Sequence, residues 1–127
     1  MNKAAGVLIF NGTKNMVLGF RRFDEGRQGV ALPCGGVEQG EDPALAAVRE
    51  AKEETGFDVV LTDDQPFVAF EGRDGCQVWV WKAKIVGMGQ ALTPDEGEPE
   101  WVAPCELLSG PYADFNEKML QHFGVAL

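Results

Sequence analysis

The segment from Pro33 to Gly56 constrains the fold more than any other part of the chain, because a glycine-rich loop runs directly into a helix with both ends marked. Asp42 is a good N-cap, and Pro43 follows at the first helical position, where proline is favoured. Gly56 suits the left-handed turn that ends many helices. The sequence therefore predicts a helix over residues 43–55.

The predicted helix carries three glutamates within five positions, Glu50, Glu53 and Glu54. At about 100° per residue they share one arc roughly 100° wide, although like charges four residues apart repel. The opposite side has Leu45, Val48 and Thr55, with Ala51 at its edge, and Ala46 and Ala47 flank the glutamates. Most acidic helical faces are simply solvated, so a site needs a second observation.

The loop before the helix supplies that observation. Proline restricts the backbone of this loop at Pro33, and glycine gives it extra freedom at Gly35, Gly36 and Gly40. Glycines at this density allow a close approach that brings a carbonyl or Glu41 over the carboxylates. Clustered carboxylates with a carbonyl form a hard oxygen site suited to Mg²⁺ or Mn²⁺. A calcium loop is the weaker alternative, because the Asp-x-Asp-x-Asp-Gly order of an EF-hand is absent from the sequence.

The charge of the chain bears on its partners. The formal net charge is -9, from 20 acidic and 11 basic residues, which argues against a nucleic acid polymer. A metal ion between carboxylates and phosphates would still let the acidic site hold a diphosphate, with water as the nucleophile. A small anionic molecule is therefore the expected partner.

Length, cysteine spacing and hydropathy limit the remaining possibilities. The chain of 127 residues suits one domain, 1–127. Cys34, Cys76 and Cys105 are odd in number and too widely spaced for a zinc site, so reduced thiols are expected. The uncharged run over residues 4–13 is too short to cross a membrane and is a poor secretory signal. A cytoplasmic protein with no membrane partner is expected.

The other segments predict strands around two helices. Asn11-Gly12 between two apolar runs predicts a hairpin of residues 4–10 and 16–21. Further strands are predicted for residues 30–33, 57–61, 66–70 and 76–86 and within 96–103, and a second helix for 112–123. The start of 76–86 is apolar on both faces, which is typical of a strand covered on both sides. The sequence thus predicts an α+β domain with a mixed β-sheet between helices.

The loop and helix together resemble the signature box of the Nudix hydrolases. Gly35 is followed after five residues by Glu41, and after seven more by Arg49-Glu50-Ala51-x-Glu53-Glu54-x-Gly56-Phe57. Every charged and glycine position is filled, and at Ala51 the family usually has a larger aliphatic residue. The resemblance implies a Nudix-like α/β/α sandwich and Mg²⁺- or Mn²⁺-dependent cleavage of a nucleoside diphosphate linked to another group.

The resemblance also implies roles inside the box. Glu50, Glu53 and Glu54 look like the metal ligands, with Glu41 completing or supporting the set. Glu53 and Glu54 would serve catalysis as well, and Arg49 looks like an orienting partner for the carboxylates.

One departure from the family lies just before the box. After Leu-Pro the family commonly has a Gly-Gly pair whose first carbonyl ligates metal, and here that first position is Cys34. The carbonyl survives any side chain, so Cys34 is still expected in the metal site. Cysteine tolerates a positive φ poorly, which puts the local backbone angle in question. A nucleophilic thiol is the less favoured alternative, because water already supplies the nucleophile.

The resemblance also implies a further glutamate from a late loop, which in related enzymes often serves as base or extra ligand. Glu98 is the favoured candidate, followed by Glu96, and Glu100 belongs to the same acidic loop. Any single one of these can equally be an ordinary solvated residue. His122 in the terminal helix is not expected to be catalytic.

Substrate-binding residues are expected on both sides of the glycine loop. The candidates are Arg21, Arg22 and Arg27 for phosphate or base, the loop glycines Gly35 and Gly36, and Phe23 for stacking on a base. Trp79 and Trp81 could also stack, but core packing is the favoured role for both.

The preferred hypothesis is a nucleotide pyrophosphohydrolase. Its most favoured substrate is a (deoxy)nucleoside triphosphate, giving the monophosphate and pyrophosphate. Nucleotide sugars, ADP-ribose and dinucleoside polyphosphates remain alternatives, as does a non-catalytic nucleotide-binding module of the same fold. The sequence does not specify the oligomeric state, and a homodimer is one option.

Overall fold

Two β-sheets and two helices form the fold in a computed structural model, which describes residues 2–23, 30–71 and 75–126. The strands are β1 (Lys3–Leu8), β2 (Val17–Arg22), β3 (Cys34–Gly36), β4 (Phe57–Leu61), β5 (Phe67–Glu71), β6 (Cys76–Met88) and β7 (Gly97–Val102). The helices are α1 (Pro43–Thr55) and α2 (Ala113–His122), with a 3₁₀ turn at Pro104–Leu108. No helix in the described residues is long and apolar enough to cross a membrane. Arg27 lies outside the described residues.

The larger sheet is organised around the long strand β6. Strand β1 runs parallel to its first half, and β5 and β4 pair antiparallel with its first and second halves. Strand β3 pairs antiparallel with the free edge of β1. A second sheet contains β2 and β7, again antiparallel. The mixed sheet confirms the predicted α+β fold class.

Each helix packs on its own face of the larger sheet. Alternate residues of β1 point to opposite faces, so that Ala5 and Val7 lie in the core beneath α1. Leu8 lies instead in the second core, with Met119 and Leu120 of α2. The apolar double-faced start of β6 is therefore explained, because both of its sides are covered.

Helix α1 begins and ends where the sequence predicts, and its buried side includes one of the three glutamates. Asp42 accepts a hydrogen bond from the Ala44 N–H at 2.9 Å, and Gly56 has φ 79°. Leu45, on the side opposite the glutamates, has a side chain that is 65% exposed, whereas Glu54 is only 2% exposed. Three of its four alanines, Ala46, Ala47 and Ala51, are completely buried, so the helix lies close against its neighbours on that side and carries Glu54 inward.

Two strand predictions also need correction. The predicted hairpin is reduced to one bridge between Phe10 and Val17, since β1 and β2 belong to different sheets. Both edges of β1 are already occupied by β3 and β6, and β2 therefore pairs with β7. Residues 30–33 form no strand beyond a bridge from Ala31 to Phe20, and the strand begins only at Cys34.

Candidate active site

Arg49 lies among the carboxylates of the loop and helix and binds several of them. Its Nε and Nη2 donate to the two oxygens of Glu41, both at 2.9 Å. Its Nη1 donates to Glu50 at 2.9 Å and to Glu53 at 3.1 Å. Nη2 also donates to the Gly36 carbonyl at 2.8 Å. One guanidinium therefore joins β3 to α1 and offsets the repulsion between the glutamates.

Glu41 is held in its ionised form by these bonds. The Arg49 guanidinium lowers the pKa of Glu41 to about 2, and the backbone N–H of Glu38, which donates at 3.0 Å, acts in the same direction. In return the carboxylates raise the pKa of Arg49 above its usual range. Both groups are charged throughout the physiological pH range.

Glu54 has the opposite electrostatic environment. Its Oε1 accepts the backbone N–H of Cys34 at 2.9 Å, and its Oε2 lies 3.6 Å from Nη2 of Arg22. Burial raises the pKa of Glu54 to about 8, even though these two contacts favour the charged form. Without a further positive charge nearby, Glu54 therefore holds a proton at neutral pH.

Gly35 is needed for the position of Glu50. A side chain at position 35 would overlap the Glu50 carboxylate, which lies directly against the glycine backbone. Burial raises the pKa of Glu50, and the charges of Glu53 and Glu96 raise it further, against the opposing effect of Arg49. The glycine loop thus lies directly against Glu50, the first carboxylate of the helix, as its composition predicts.

The donor chemistry of this cluster fits a divalent metal ion, although the side chains are not arranged around one. Within residues 2–23, 30–71 and 75–126, no group of three or more potential ligands is placed to hold an ion. Glu41, Glu50 and Glu53 all point at Arg49 instead. The carboxylates of Glu41, Glu50, Glu53 and Glu54 together supply the hard oxygen ligands that Mg²⁺ and Mn²⁺ prefer. For an ion to bind here, Arg49 would have to give up some of its bonds.

A cavity of about 490 Å³ opens beside the carboxylates. Leu32, Val78, Val80 and Phe115 provide apolar walls, and Arg22 and Asn116 provide polar groups. Cys34, Gly35 and Gly36 also line it, so β3 separates the cavity from the glutamates of α1. A small apolar pocket with few polar groups is the usual form of a ligand site.

Comparison with known proteins identifies the family. The model of the NUDIX domain matches residues 1–123. The chain belongs to the Nudix hydrolases. Members of this family are pyrophosphohydrolases that act on phosphoric anhydride bonds, and they generally use divalent metal ions, which agrees with the donor chemistry of the cluster.

Curated relatives and solved structures agree with this family. An RNA pyrophosphohydrolase of Dinoroseobacter shibae is 32% identical, over 84% of this chain and 79% of its own length. One of Roseobacter denitrificans is 45% identical over 67% of this chain and 55% of its own. Among solved structures, a Caenorhabditis elegans Ap4A hydrolase superposes with TM-score 0.74 at 24% identity, covering 95% of both chains. A MutT Nudix hydrolase of Burkholderia pseudomallei gives 0.71 at 21% identity, covering 94% of this chain and 95% of its own. At these identities the solved structures show the fold alone.

The neighbouring arginines of this Nudix fold point in different directions. Arg22 contacts Glu54 and lines the cavity. Arg21 donates from Nε to Glu100 at 2.8 Å on the adjacent strand β7, and this bond raises its pKa. Adjacent strand residues face opposite sides, so the structure brings Arg22 to the Nudix box and leaves Arg21 in a surface ion pair.

Glu96 and Glu98 also lie in different places, one before strand β7 and one within it. Glu98 is exposed on β7 opposite Arg21. Glu96 precedes β7, and its charge contributes to the raised pKa values of both Glu50 and Glu54. The structure therefore places Glu96, the second choice from sequence, nearer to the carboxylate cluster than the favoured Glu98. A catalytic role for either residue stays a prediction.

Cys34 is accommodated in the Nudix loop without strain. Lys14 is the one non-glycine residue with positive φ among the described residues, so Cys34 keeps an ordinary strand conformation. The space for its side chain comes from Gly6, opposite it on β1, where an added Cβ would lie 2.9 Å from the Cys34 Cβ. Burial and the nearby Glu54 and Glu50 charges raise the pKa of the Cys34 thiol to about 12. A protonated thiol is a poor nucleophile.

Other predicted and unpredicted residues fall at the edges of the site. Phe23 is 56% exposed at the end of β2. Trp81 is buried in the core, and the His122 ring packs on Phe67 and Phe123. The sequence reasoning missed Asn116, which is 3% exposed and lines the cavity. A polar residue on the apolar side of the predicted terminal helix was the signal that could have revealed it.

Proposed function

We propose that this Nudix hydrolase cleaves a (deoxy)nucleoside triphosphate to the monophosphate and pyrophosphate, using Mg²⁺ or Mn²⁺. The observation that supports this most is the juxtaposition of the Nudix carboxylates with a cavity of about 490 Å³ across the thin strand β3. In this proposal the nucleoside occupies the cavity and the polyphosphate chain extends past Arg22, which lines the cavity and contacts Glu54, to the glutamates.

The cavity has the character of a nucleoside pocket. The apolar side chains of Val78, Val80 and Phe115 offer a surface for a planar base. Asn116 uses one amide N–H on the Leu107 carbonyl at 2.9 Å. Its remaining amide groups are the polar contacts through which a base edge would be read.

In this proposal the phosphates of the substrate lie beside the carboxylates of the Nudix box. Glu50, Glu53 and Glu54 would hold the metal ions, Glu41 would support them through Arg49, and the carbonyl of Cys34 would be available as a further oxygen ligand. The ions, when bound, neutralise the phosphate oxygens and lower the pKa of water. Arg22 lies between Glu54 and the cavity, where it can orient the phosphate closest to the nucleoside.

A carboxylate must also take the proton of the attacking water. Glu96 and Glu54 are the favoured candidates, because Glu54 belongs to the buried cluster and the charge of Glu96 acts on it. A base with a pKa near the working pH is the most effective. Glu98 remains a candidate of lower rank.

The 5′-triphosphate end of RNA is the second candidate substrate. The curated relatives are named RNA pyrophosphohydrolases, and an RNA end presents the same triphosphate with a first nucleoside that the cavity could hold. The net charge of -9 opposes long contacts with a polymer, so only the terminal nucleotides would be bound.

A substrate panel tests the proposal. Purified protein with Mg²⁺ or Mn²⁺ is assayed against single nucleoside triphosphates, a 5′-triphosphorylated RNA oligonucleotide, a dinucleoside polyphosphate, ADP-ribose and nucleotide sugars. We expect the highest kcat/KM for a free triphosphate. A higher kcat/KM for the RNA would favour the second candidate, and binding of metal and nucleotide without turnover would favour the binding module.

Cytoplasmic location and a homodimer stay predictions within this proposal. Light scattering on the purified protein would determine the assembly. Fractionation of the source cells would determine the location.

A further inference from the structure

The loop between β6 and β7 is attached to the end of α1 by an unusual number of bonds to one carbonyl. The Glu53 carbonyl accepts the N–H of Leu92 at 2.8 Å, the N–H of Thr93 at 3.1 Å and the Thr93 hydroxyl at 3.1 Å. The last carbonyls of a helix have no partner within the helix. Here a distant loop supplies the partners, at the residue whose side chain belongs to the carboxylate cluster.

A second contact fixes the same loop against the end of the helix. The Gly89 N–H donates to the Gly56 carbonyl at 2.8 Å. An added Cβ on Gly56 would lie 2.7 Å from the Gln90 carbonyl carbon and 2.8 Å from the Ala91 nitrogen. The loop therefore lies directly on the helix terminus.

From Thr93 the chain makes a tight turn that ends at Glu96. The Glu96 N–H donates to the Thr93 carbonyl at 3.1 Å, and Pro94 stands at the second position of the turn, where its fixed φ is favoured. The Glu96 carbonyl accepts the N–H of Phe23 at 3.1 Å. Both peptide groups of Glu96 are thus bonded, one through Thr93 to α1 and the other to the end of β2.

The turn delivers Glu96 to the carboxylate cluster. The next residue, Gly97, is the register partner of Arg22, and Arg22 contacts Glu54. The charge of Glu96 accordingly acts on both Glu50 and Glu54. A chain of hydrogen bonds therefore connects the Glu53 backbone to the Glu96 backbone, which carries that carboxylate.

We propose that Thr93 is a positioning residue of the active site, whose hydroxyl and N–H on the Glu53 carbonyl fix the Glu96 carboxylate beside Glu50 and Glu54. Its catalytic consequence rests on the proposed function. The expected effect of Thr93 on cation binding is independent of the proposed function. Removing or displacing a negative charge from the cluster weakens the attraction for any divalent cation.

Two substitutions separate the hydroxyl from the volume of the side chain. Thr93→Val keeps the shape and removes the donor, whereas Thr93→Ser keeps the donor and removes a methyl group. We expect Thr93→Val to weaken Mn²⁺ binding, measured by calorimetry, by about 2- to 10-fold, the range for loss of one ordinary hydrogen bond. Thr93→Ser should bind Mn²⁺ like the unchanged protein. With an active substrate, Thr93→Val should lower kcat and change KM little.

Glu96→Gln decides whether Thr93 acts through Glu96. If it does, the double variant Thr93→Val with Glu96→Gln binds Mn²⁺ no more weakly than Glu96→Gln alone. Ser109→Ala is the control, because it removes a similar hydroxyl-to-carbonyl bond, to Glu106 at 3.2 Å, on the distant 3₁₀ turn. This control should leave Mn²⁺ affinity unchanged and shift Tm no more than Thr93→Val.

Either of two results would overturn the inference: Mn²⁺ affinity unchanged by Thr93→Val, or effects of Thr93→Val and Glu96→Gln that multiply in the double variant. The proposed function fails separately. If the unchanged protein shows the expected Mn²⁺ pattern but hydrolyses no nucleotide of the panel, Thr93 keeps its role and the proposed reaction is wrong.

Discussion

The carboxylate cluster and the cavity lie side by side and are built in opposite ways. The cluster comes from one continuous loop and helix, and a single guanidinium, that of Arg49, bonds to three of its four carboxylates. The cavity is lined by β1, β3, β6 and α2, which are far apart in the chain, and its walls are mainly apolar. We infer that the cluster performs the chemistry on every substrate, and that the cavity determines which substrate is bound.

The largest expected effect comes from removing one carboxylate charge of the cluster. Glu53→Gln should lower kcat by about 100-fold or more for every substrate that is cleaved, as loss of one electrostatic contact to a transition state typically does. Glu117→Gln, on the exposed side of α2, is the matched control and should retain full activity. A loss limited to one substrate would break the division between cluster and cavity.

The next effect concerns the bonds of Arg49. Arg49→Lys cannot reproduce the two-pronged contact with Glu41 together with the bonds to Glu50 and Gly36. We expect a loss of about 1–3 kcal/mol in the free energy of unfolding of the metal-free protein, the range for hydrogen bonds to charged groups. Urea unfolding with and without Mg²⁺ measures this. Equal stability of the variant and the unchanged protein would show that Arg49 does not hold the cluster together.

Filling the cavity should weaken nucleotide binding and leave metal binding at the carboxylate cluster unchanged. Val78→Phe adds volume to the cavity wall, and we expect KM for the preferred nucleotide to rise by about 10-fold, which corresponds to roughly 1.4 kcal/mol. Mn²⁺ affinity should not change. Val60→Phe is the control, because Val60 is 41% exposed on β4. If Val78→Phe lowers kcat for all substrates without changing KM, the cavity is not the nucleoside site.

The last prediction is a pH dependence of stability in the metal-free protein. The pKa of Glu54 is raised by burial to about 8, above the value near 4.3 expected in an unfolded chain. Between these values the folded state binds more protons than the unfolded state, so stability from this group is complete below about pH 4.3 and is lost as pH rises towards 8. Because glutamine stays neutral like the protonated acid, we expect Glu54→Gln to match the unchanged protein in Tm below about pH 4.3 and to exceed it increasingly as pH rises towards 8, both measured in EDTA. A Tm of the unchanged protein that rises relative to that of Glu54→Gln over this range would contradict the burial of a protonated Glu54.

The sequence predicted the residues of the cluster because they share one helix, whose period places them on one face. It did not predict which side of α1 is buried, because completely buried alanines, rather than Leu45, lie against the sheet and bring Glu54 inward. The order of Glu98 and Glu96 depended on where β7 begins, which is set by pairing with β2. The cavity and Asn116 depended on how α2 packs across β6, a long-range contact that no local pattern specifies.

The central claim is that the Nudix cluster cleaves a nucleoside triphosphate between its α- and β-phosphates. Product analysis of one triphosphate with Mg²⁺, before and after EDTA, tests it most directly. The proposed function predicts monophosphate and pyrophosphate in equal amounts, formed with Mg²⁺ and not after EDTA. Release of orthophosphate with a diphosphate product, or no cleavage with saturating metal, would contradict it.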